Sequence, residues 1–294
     1  MKGIFHFELN IIYIYGVKNL ELNINSKVEL NNGVQMPRLG FGTWKLKGDK
    51  AFSPVKGALE AGYRSIDTAT LYGNEKSVGK AIHESDVPRE EIFITTKVWD
   101  SDLGYEKTQK AFERSLNNLN IEYIDLYLIH WPRKLRNESW RALEELYKQG
   151  KLKAIGVANF AISHLEELLD RFEMVPAVNQ FELHPFLYSE RKDLIEFCRK
   201  NDIQVEAYSP LTHGKQLNNP TFKTIAKKYN KTTAQLLIRW SLQHGFVVIP
   251  KSGNKSHIQE NSDVFDFHIS ESDMEKIDTV KEEFRLLYDT STWD

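Results

Sequence analysis

A chain of 294 residues that is 41% hydrophobic and 27% charged is long enough to bury one large core, and its composition excludes intrinsic disorder as the default. A formal net charge of −2 with both signs interspersed supplies no field that gathers nucleic acid or anionic lipid, which leaves a small molecule as the expected ligand. The one cysteine, Cys198, cannot close an intrachain disulfide, so a reducing compartment, the cytoplasm, is the simplest address.

Residues 1–25 read as an N-terminal extension. The apolar stretch from Ile4 to Tyr15 is interrupted by His6, Glu8 and Asn10, and no small-residue cleavage site follows it, so it does not fit a secretory signal. No other segment approaches the roughly 20 apolar residues that span a bilayer. Residues 26–294 read as a single domain. It opens with a hairpin, Val28 to Leu30, a tight turn at Asn32-Gly33, then Val34 to Pro37. Short apolar runs then alternate with amphipathic stretches. Leu39 to Gly42 precedes a helix near 50–61, Arg64 to Asp67 one near 75–84, Ile92 to Lys97 one near 105–119, and Ile124 to His130 one near 138–149. Ala154 to Val157 precedes a helix over 163–172, Ala177 to Gln180 one over 189–201, Val205 to Tyr208 helices across 220–244, and Val247 to Ile249 helices near 255–262 and 271–283. Eight strand–helix units with nearly continuous apolar strands predict an α/β fold, a closed (β/α)8 barrel of the TIM type. No GxGxxG follows the first strand, which disfavours an open dinucleotide-binding sheet.

In such barrels the active site lies at the C-terminal strand ends, so the residues that terminate each apolar run matter most. Asp67 ends the second run, Lys97 the third and His130 the fourth, with Tyr72 in the loop after Asp67. Asn159, Gln180 and Ser209 fall at or just past the fifth, sixth and seventh. Taken singly, an Asp there is often a helix cap, a Lys a solvated charge and a His a satisfied hydrogen bonder; their joint placement points them into one basin. A phenol with a reference pKa near 10 is a reluctant acid, and a nearby ammonium lowers that value. Lys97 can supply the charge, Asp67 can orient Lys97 through an ion pair, and His130 can orient a substrate carbonyl, making Tyr72 a general acid. There is no nucleophile–base pair, and no HxH or CxxC offers a metal cage. An acid without a nucleophile points to an external hydride.

These residues sit in Gly62-Tyr63-Arg64-Ser65-Ile66-Asp67-Thr68-Ala69, Tyr72-Gly73-Asn74-Glu75, Thr95-Thr96-Lys97-Val98-Trp99, Leu126-Tyr127-Leu128-Ile129-His130-Trp131-Pro132 and Ile249-Pro250-Lys251-Ser252. In this order the motifs closely resemble the aldo-keto reductase superfamily, most of all its bacterial-type members related to diketogluconate, glyoxal and methylglyoxal reductases. The resemblance implies a barrel whose bottom is closed by the N-terminal hairpin, and a catalytic tetrad of Asp67, Tyr72, Lys97 and His130. It implies NADPH as cofactor, with NADH possible. Asn159 and Gln180 would hydrogen-bond the nicotinamide carboxamide, the Tyr208 ring would stack on the nicotinamide, and Ser209 and Leu211 would meet the pyrophosphate. Lys251, Ser252 and His257 would lie at the adenosine phosphate, Glu260 and Asn261 at the adenine, with Thr43, Trp44 and Pro250 as further cofactor contacts. A monomer is the default that the resemblance implies.

Two departures stand out. His257 occupies the place where relatives usually carry a phosphate-gripping arginine, and histidine is mostly neutral at pH 7, so Lys255 is the residue available to compensate. Ala158 stands where a serine is common, which removes one hydroxyl contact to the cofactor, about 1 kcal/mol net. Trp44, Trp99 and Trp131 follow strand ends and, with His130, are expected to wall a substrate pocket that favours carbonyls with an apolar flank. The segment Arg133 to Glu138 and the tail Asp289 to Asp294 are short, which predicts an open cleft and a broad range of small carbonyls. Two other readings compete: a non-enzymatic cofactor-binding subunit of the same fold, like the potassium-channel β subunits, and a Schiff-base aldolase that uses Lys97.

Overall fold

The hairpin forms through its glycine. Gly33 takes φ +83°, a left-handed conformation that a side chain would resist, and lets Leu30 N–H reach Val34 O at 2.9 Å while Gly33 N–H reaches Leu30 O at 2.8 Å. The two short strands β1 (Lys27–Glu29) and β2 (Gln35–Pro37) then pair antiparallel. The computed structural model describes residues 22–293, so most of the expected N-terminal extension lies outside the described residues. Leu22 is already buried in the core and Ile24 packs against it.

Eight parallel strands follow in sheet order equal to chain order. They are β3 (Phe41–Gly42), β4 (Ser65–Asp67), β5 (Phe93–Val98), β6 (Ile124–Ile129), β7 (Leu152–Ala158), β8 (Val178–Glu182), β9 (Gln204–Tyr208) and β10 (Val247–Ile249). The sheet closes on itself through a parallel bridge between Leu39 and Val248, with Gly40 N–H on Val248 O at 2.9 Å and Gly42 N–H on Pro250 O at 3.0 Å. The intervening helices are α1 (Phe52–Glu60), α2 (Glu75–His83), α3 (Tyr105–Leu119), α4 (Arg136–Lys148), α5 (Ile162–Arg171), α6 (Pro185–Tyr188), α7 (Lys192–Lys200), α8 (Pro220–Lys228), α9 (Thr233–Gln243), α10 (Lys255–Ser262) and α11 (Glu271–Asp278). None of these is long and apolar enough to cross a membrane.

The pleat sorts each strand into two faces. On β6, Leu126 and Leu128 join an inner cluster with Phe93, Ala154, Ala158, Val178 and Val247, whereas Tyr127 and Ile129 join the larger layer under the helices. Leu30 and Met36 of the hairpin belong to the inner cluster, so the hairpin plugs the lower end of the barrel. Burying each such Leu or Val side chain stabilises the fold by about 1.5–3 kcal/mol. Continuing the same parity upward, Lys97 follows Phe93 on β5, His130 follows Leu128 past β6, Gln180 follows Val178 on β8, and Glu206 and Tyr208 share a face of β9. The upper lumen is polar because the inward register runs onto polar residues there.

The helix expected over 189–201 is α7, and the short α6, opened by Pro185, precedes it as an element not expected from the sequence. The helices expected across 220–244 are parted where Asn230 takes φ +53° and Thr232 caps α9 in a reciprocal box with Gln235. The last helix stops at Asp278 rather than 283, since the chain leaves it to pack Phe284 against His184 and Phe186 and to give Leu286 and Leu287 N–H to Glu182.

Candidate active site

Parity turns Asp67 into the lumen, and the loop before it is fixed by Thr43, whose N–H and Oγ1 both donate to Asp67 O at 3.0 and 2.9 Å. Lys97, fully buried, donates to Asp67 Oδ2 at 2.6 Å and to Thr68 O at 2.9 Å. An unpaired ammonium at that depth costs several kcal/mol, so the carboxylate is a condition of Lys97 being there at all. Lys97 stands behind Asp67 and is not on the cavity wall, a position that withholds it from the Schiff-base chemistry of an aldolase.

Tyr72 closes a short 3-10 turn, Thr70–Tyr72, that ends on Gly73 at φ +64°. Asn74, buried beside it, accepts from Thr68 Oγ1 at 2.6 Å and donates to Thr43 O and Leu46 O at 3.2 and 2.8 Å, and Glu75 accepts from Thr96 Oγ1 at 2.8 Å. The Tyr72-Gly73-Asn74-Glu75 motif is therefore a clamp that ties the loops after β3 and β4 to strand β5 and aims the phenol. The Lys97 ammonium lies 5.3 Å from the centre of the Tyr72 ring. The lowered phenol pKa expected from Lys97 is not found. Burial pushes Tyr72 well above its ordinary value, with the negative fields of Asp67 and Glu206 adding to it.

His130 packs edge-on to Tyr72 at 5.9 Å and to Trp99 at 5.2 Å, and stacks on Trp131 at 6.2 Å. Burial, and then the charge of Lys97, hold its pKa well below the usual histidine range, so the imidazole is neutral. Its Nδ1 is enclosed with no partner, and a bare lone pair is tolerated there better than an N–H, so we assign the proton to Nε2. Asn159, at φ +64°, donates to His130 O at 3.0 Å and accepts from the Tyr208 hydroxyl at 2.7 Å, which fixes the Tyr208 ring in the cavity wall. Trp44 tilts over Tyr72 at 4.9 Å.

Gln180 lies deepest. Its Nε2 donates to Asp67 Oδ2 and to Glu206 Oε2, both at 2.8 Å. The sequence reading missed Glu206, a fully buried carboxyl inside an apolar strand; the one signal was a charged residue on the same strand face as Tyr208.

From this polar end a cavity of about 620 Å³ runs outward. Tyr208, Ser209, Leu211, Lys251, Ser252, His257, Glu260 and Asn261 all line it. Thr43 and Pro250 do not reach it: Thr43 is spent on Asp67 and Pro250 O accepts Gly42 N–H. Lys255 does not compensate for His257, for it turns away to Glu60 at 3.1 Å. Ala158 packs in the inner apolar cluster. Two unexpected residues, Lys45 and His213, share the wall with Lys251. Burial and then Lys45 lower the pKa of Lys251, and the same two influences lower that of His213, which is therefore neutral; the positive charge gathered here is that of the two lysines. A cavity with a hydrogen-bonding inner end and two lysines on its wall fits a phosphorylated dinucleotide.

The C-terminal tail packs beside the site: Trp293 lies tilted 5.3 Å from Trp131 under the Arg133 guanidinium at 3.7 Å, and Thr290 Oγ1 donates to Asn159 O at 2.7 Å. Arg133 also pairs with Asp100 at 3.1 Å, so its charge is already partnered.

Residues 38–282 match the model of the Aldo/keto reductase family. The chain is 52% identical over 266 residues to a glyoxal reductase of Bacillus subtilis, covering 90% of this chain and 96% of that one. It is also 52% identical over 264 residues to the 9,11-endoperoxide prostaglandin H2 reductase of Trypanosoma cruzi, covering 88% and 93%. A solved mutant of Gox0644 in complex with NADPH superimposes with TM-score 0.86 at 41% identity, covering 92% of this chain and 99% of that one. The chain belongs to the aldo/keto reductase family and is an NAD(P)H-dependent oxidoreductase.

Proposed function

We propose that this protein reduces small aldehydes and ketones to alcohols, with NADPH as the reductant and Tyr72 as the acid that protonates the carbonyl oxygen. The observation that carries this reading is the meeting of the Tyr72 phenol, the neutral His130 imidazole and the buried Asp67–Lys97 pair at a cavity that Lys45 and Lys251 also line. NADPH, when bound, supplies the hydride. His130 donates from Nε2 to the carbonyl oxygen and orients it toward the phenol. Burial keeps Tyr72 protonated, so the donor is always loaded; Lys97, over its ring, is the positive charge that offsets phenolate as the proton leaves. Trp44, Trp99 and Trp131 exclude water from the reacting carbonyl.

For the cofactor, Tyr208 offers a stacking face and Asn159 and Gln180 hydrogen bonds to the carboxamide. Ser209 and Leu211 would take the pyrophosphate, Lys251, Ser252 and His257 the adenosine phosphate, and Glu260 and Asn261 the adenine. The NADPH complex of the Gox0644 mutant supports NADPH, and His257 in place of an arginine leaves NADH as a usable second. The relative named for glyoxal, a small dicarbonyl, supports small carbonyl substrates. We take residues 26–294 to act as one domain, and the protein to work as a monomer in the cytoplasm, where its single buried thiol stays reduced.

The test is loss of reduced-nicotinamide absorbance with methylglyoxal, run in parallel with NADPH and NADH. Tyr72→Phe is expected to lower turnover by about 10²–10⁴-fold while NADPH still quenches tryptophan fluorescence. A variant with near-normal rates removes Tyr72 from the mechanism.

A further inference from the structure

Glu206 is used by nothing in the mechanism above, yet it is completely buried directly behind Gln180, which lines the reaction site. Its Oε2 accepts from Gln180 Nε2 at 2.8 Å, while its Oε1 is enclosed without a partner. A lone carboxyl in that position is costly and calls for a compensating role. Gln180 supplies the connection. An amide nitrogen has two hydrogens, and here one goes to Asp67 and the other to Glu206. Its Oε1 accepts no bond from the protein and is not among the enclosed orphan atoms, so it opens on the cavity that Gln180 lines. Turning the amide over would set that oxygen 2.8 Å from two carboxyl oxygens. With Asp67 alone the turn costs one contact; with Glu206 it costs two.

We propose that Glu206 is a positioning residue: together with Asp67 it locks the Gln180 amide so that only its carbonyl oxygen faces the cavity, as the acceptor for the carboxamide N–H of the nicotinamide. The inference rests on the cofactor-dependent reduction proposed above and assigns how its inner end reads the carboxamide. A second consequence follows from charge. The ionisable groups that face Glu206 are Asp67 on β4, Lys97 on β5 and Tyr72 in the loop after β4. Burial, then Asp67, push the Glu206 carboxyl up to about 8, against the opposing pull of Gln180 and Lys97. Near neutrality it is uncharged, its proton on Oε1 and its Oε2 left as the acceptor for Gln180. Once ionised, it adds a negative charge that opposes phenolate at Tyr72 and slows proton donation.

The experiment compares NADPH with its 3-acetylpyridine analogue, in which a methyl replaces the carboxamide amine. Dissociation constants are read by tryptophan fluorescence quenching for the wild type, Glu206→Gln and Glu206→Leu, each checked for a cooperative thermal transition. The wild type is expected to prefer NADPH by about tenfold, the range for one hydrogen bond whose loss leaves a buried acceptor unpaired. Glu206→Leu should prefer it by less than about twofold, and Glu206→Gln, whose own amide oxygen can still accept from Gln180, should keep the preference. In turnover with methylglyoxal, kcat of the wild type should fall above pH ~8 and that of Glu206→Gln should not. Wild-type discrimination in the Leu variant, or an unchanged alkaline fall in the Gln variant, overturns the assignment. If Glu206→Leu does not fold, the pH profile of Glu206→Gln decides it. A wild type that binds no NADPH or turns over no carbonyl overturns the functional reading itself, whereas in one that does both the variants test Glu206 alone.

Discussion

At the scale of single residues, position 257 is where this chain departs most from an ordinary phosphate grip. His257 lines the cavity wall while Lys255, its neighbour on α10, is committed to Glu60, which leaves Lys45 and Lys251 as the lysines on that wall. An arginine at 257 would add a permanent charge and a two-pronged grip on phosphate, a contact of about 1.5–3 kcal/mol. His257→Arg is therefore expected to tighten NADPH by roughly tenfold or more and leave NADH nearly unchanged. Equal tightening of both, measured by the same fluorescence titration, would show that residue 257 does not meet the adenosine phosphate. Asp67, Lys97 and His130 were legible because they end successive apolar runs, and Tyr72 because it follows Asp67 in the next loop. Glu206 was not, because nothing short of the barrel's closure reveals that its neighbour across the lumen is the Asp67–Lys97 pair through Gln180.

Among the elements, α2 does more than cover the barrel: the Tyr72-Gly73-Asn74-Glu75 clamp runs into its start, with Asn74 as the N-cap and Glu75 as its first residue. It sits so close to the end of α3 that a Cβ on Gly79 would fall 2.1 Å from Leu119 O. Helix propensity alone says that Gly79→Ala should stabilise by about 1 kcal/mol. The packing says the reverse, since α2 must move outward, and we expect a net loss of about 1–3 kcal/mol in chemical denaturation together with reduced turnover. A more stable Ala variant would contradict the close approach. Helix identities were readable from periodicity, whereas their ends often were not. The charged run Lys281-Glu282-Glu283 continues a helical pattern, but the chain unwinds after Asp278 to reach Glu182 across the top of the barrel. That is a tertiary contact overriding a local preference.

For the molecule as a whole, the barrel stores an ionisable group against its preference. The carboxyl of Glu206 has an ordinary value of 4.5 and is raised to about 8 in the fold, so the folded chain binds one more proton than the unfolded chain between those values. Stability contributed by that proton is complete below the lower value and is lost as pH rises through the upper one. The melting temperature of the wild type should therefore decline across this window, and Glu206→Gln should decline less. Parallel curves for the two would mean that the carboxyl is not held protonated.

The sequence by itself determined the eight-unit barrel, the hairpin at its base and the four residues proposed for catalysis, because apolar periodicity and the residue that ends each run are local properties of the chain. Only the tertiary structure decided what those residues do to one another. Closure brings Asp67, Lys97, Gln180 and Glu206 from four strands into one buried network, and burial, with the charges of Asp67 and Glu206, leaves Tyr72 a stronger holder of its proton than expected. Burial and charge are properties of neighbours, and the neighbours here lie far apart along the chain.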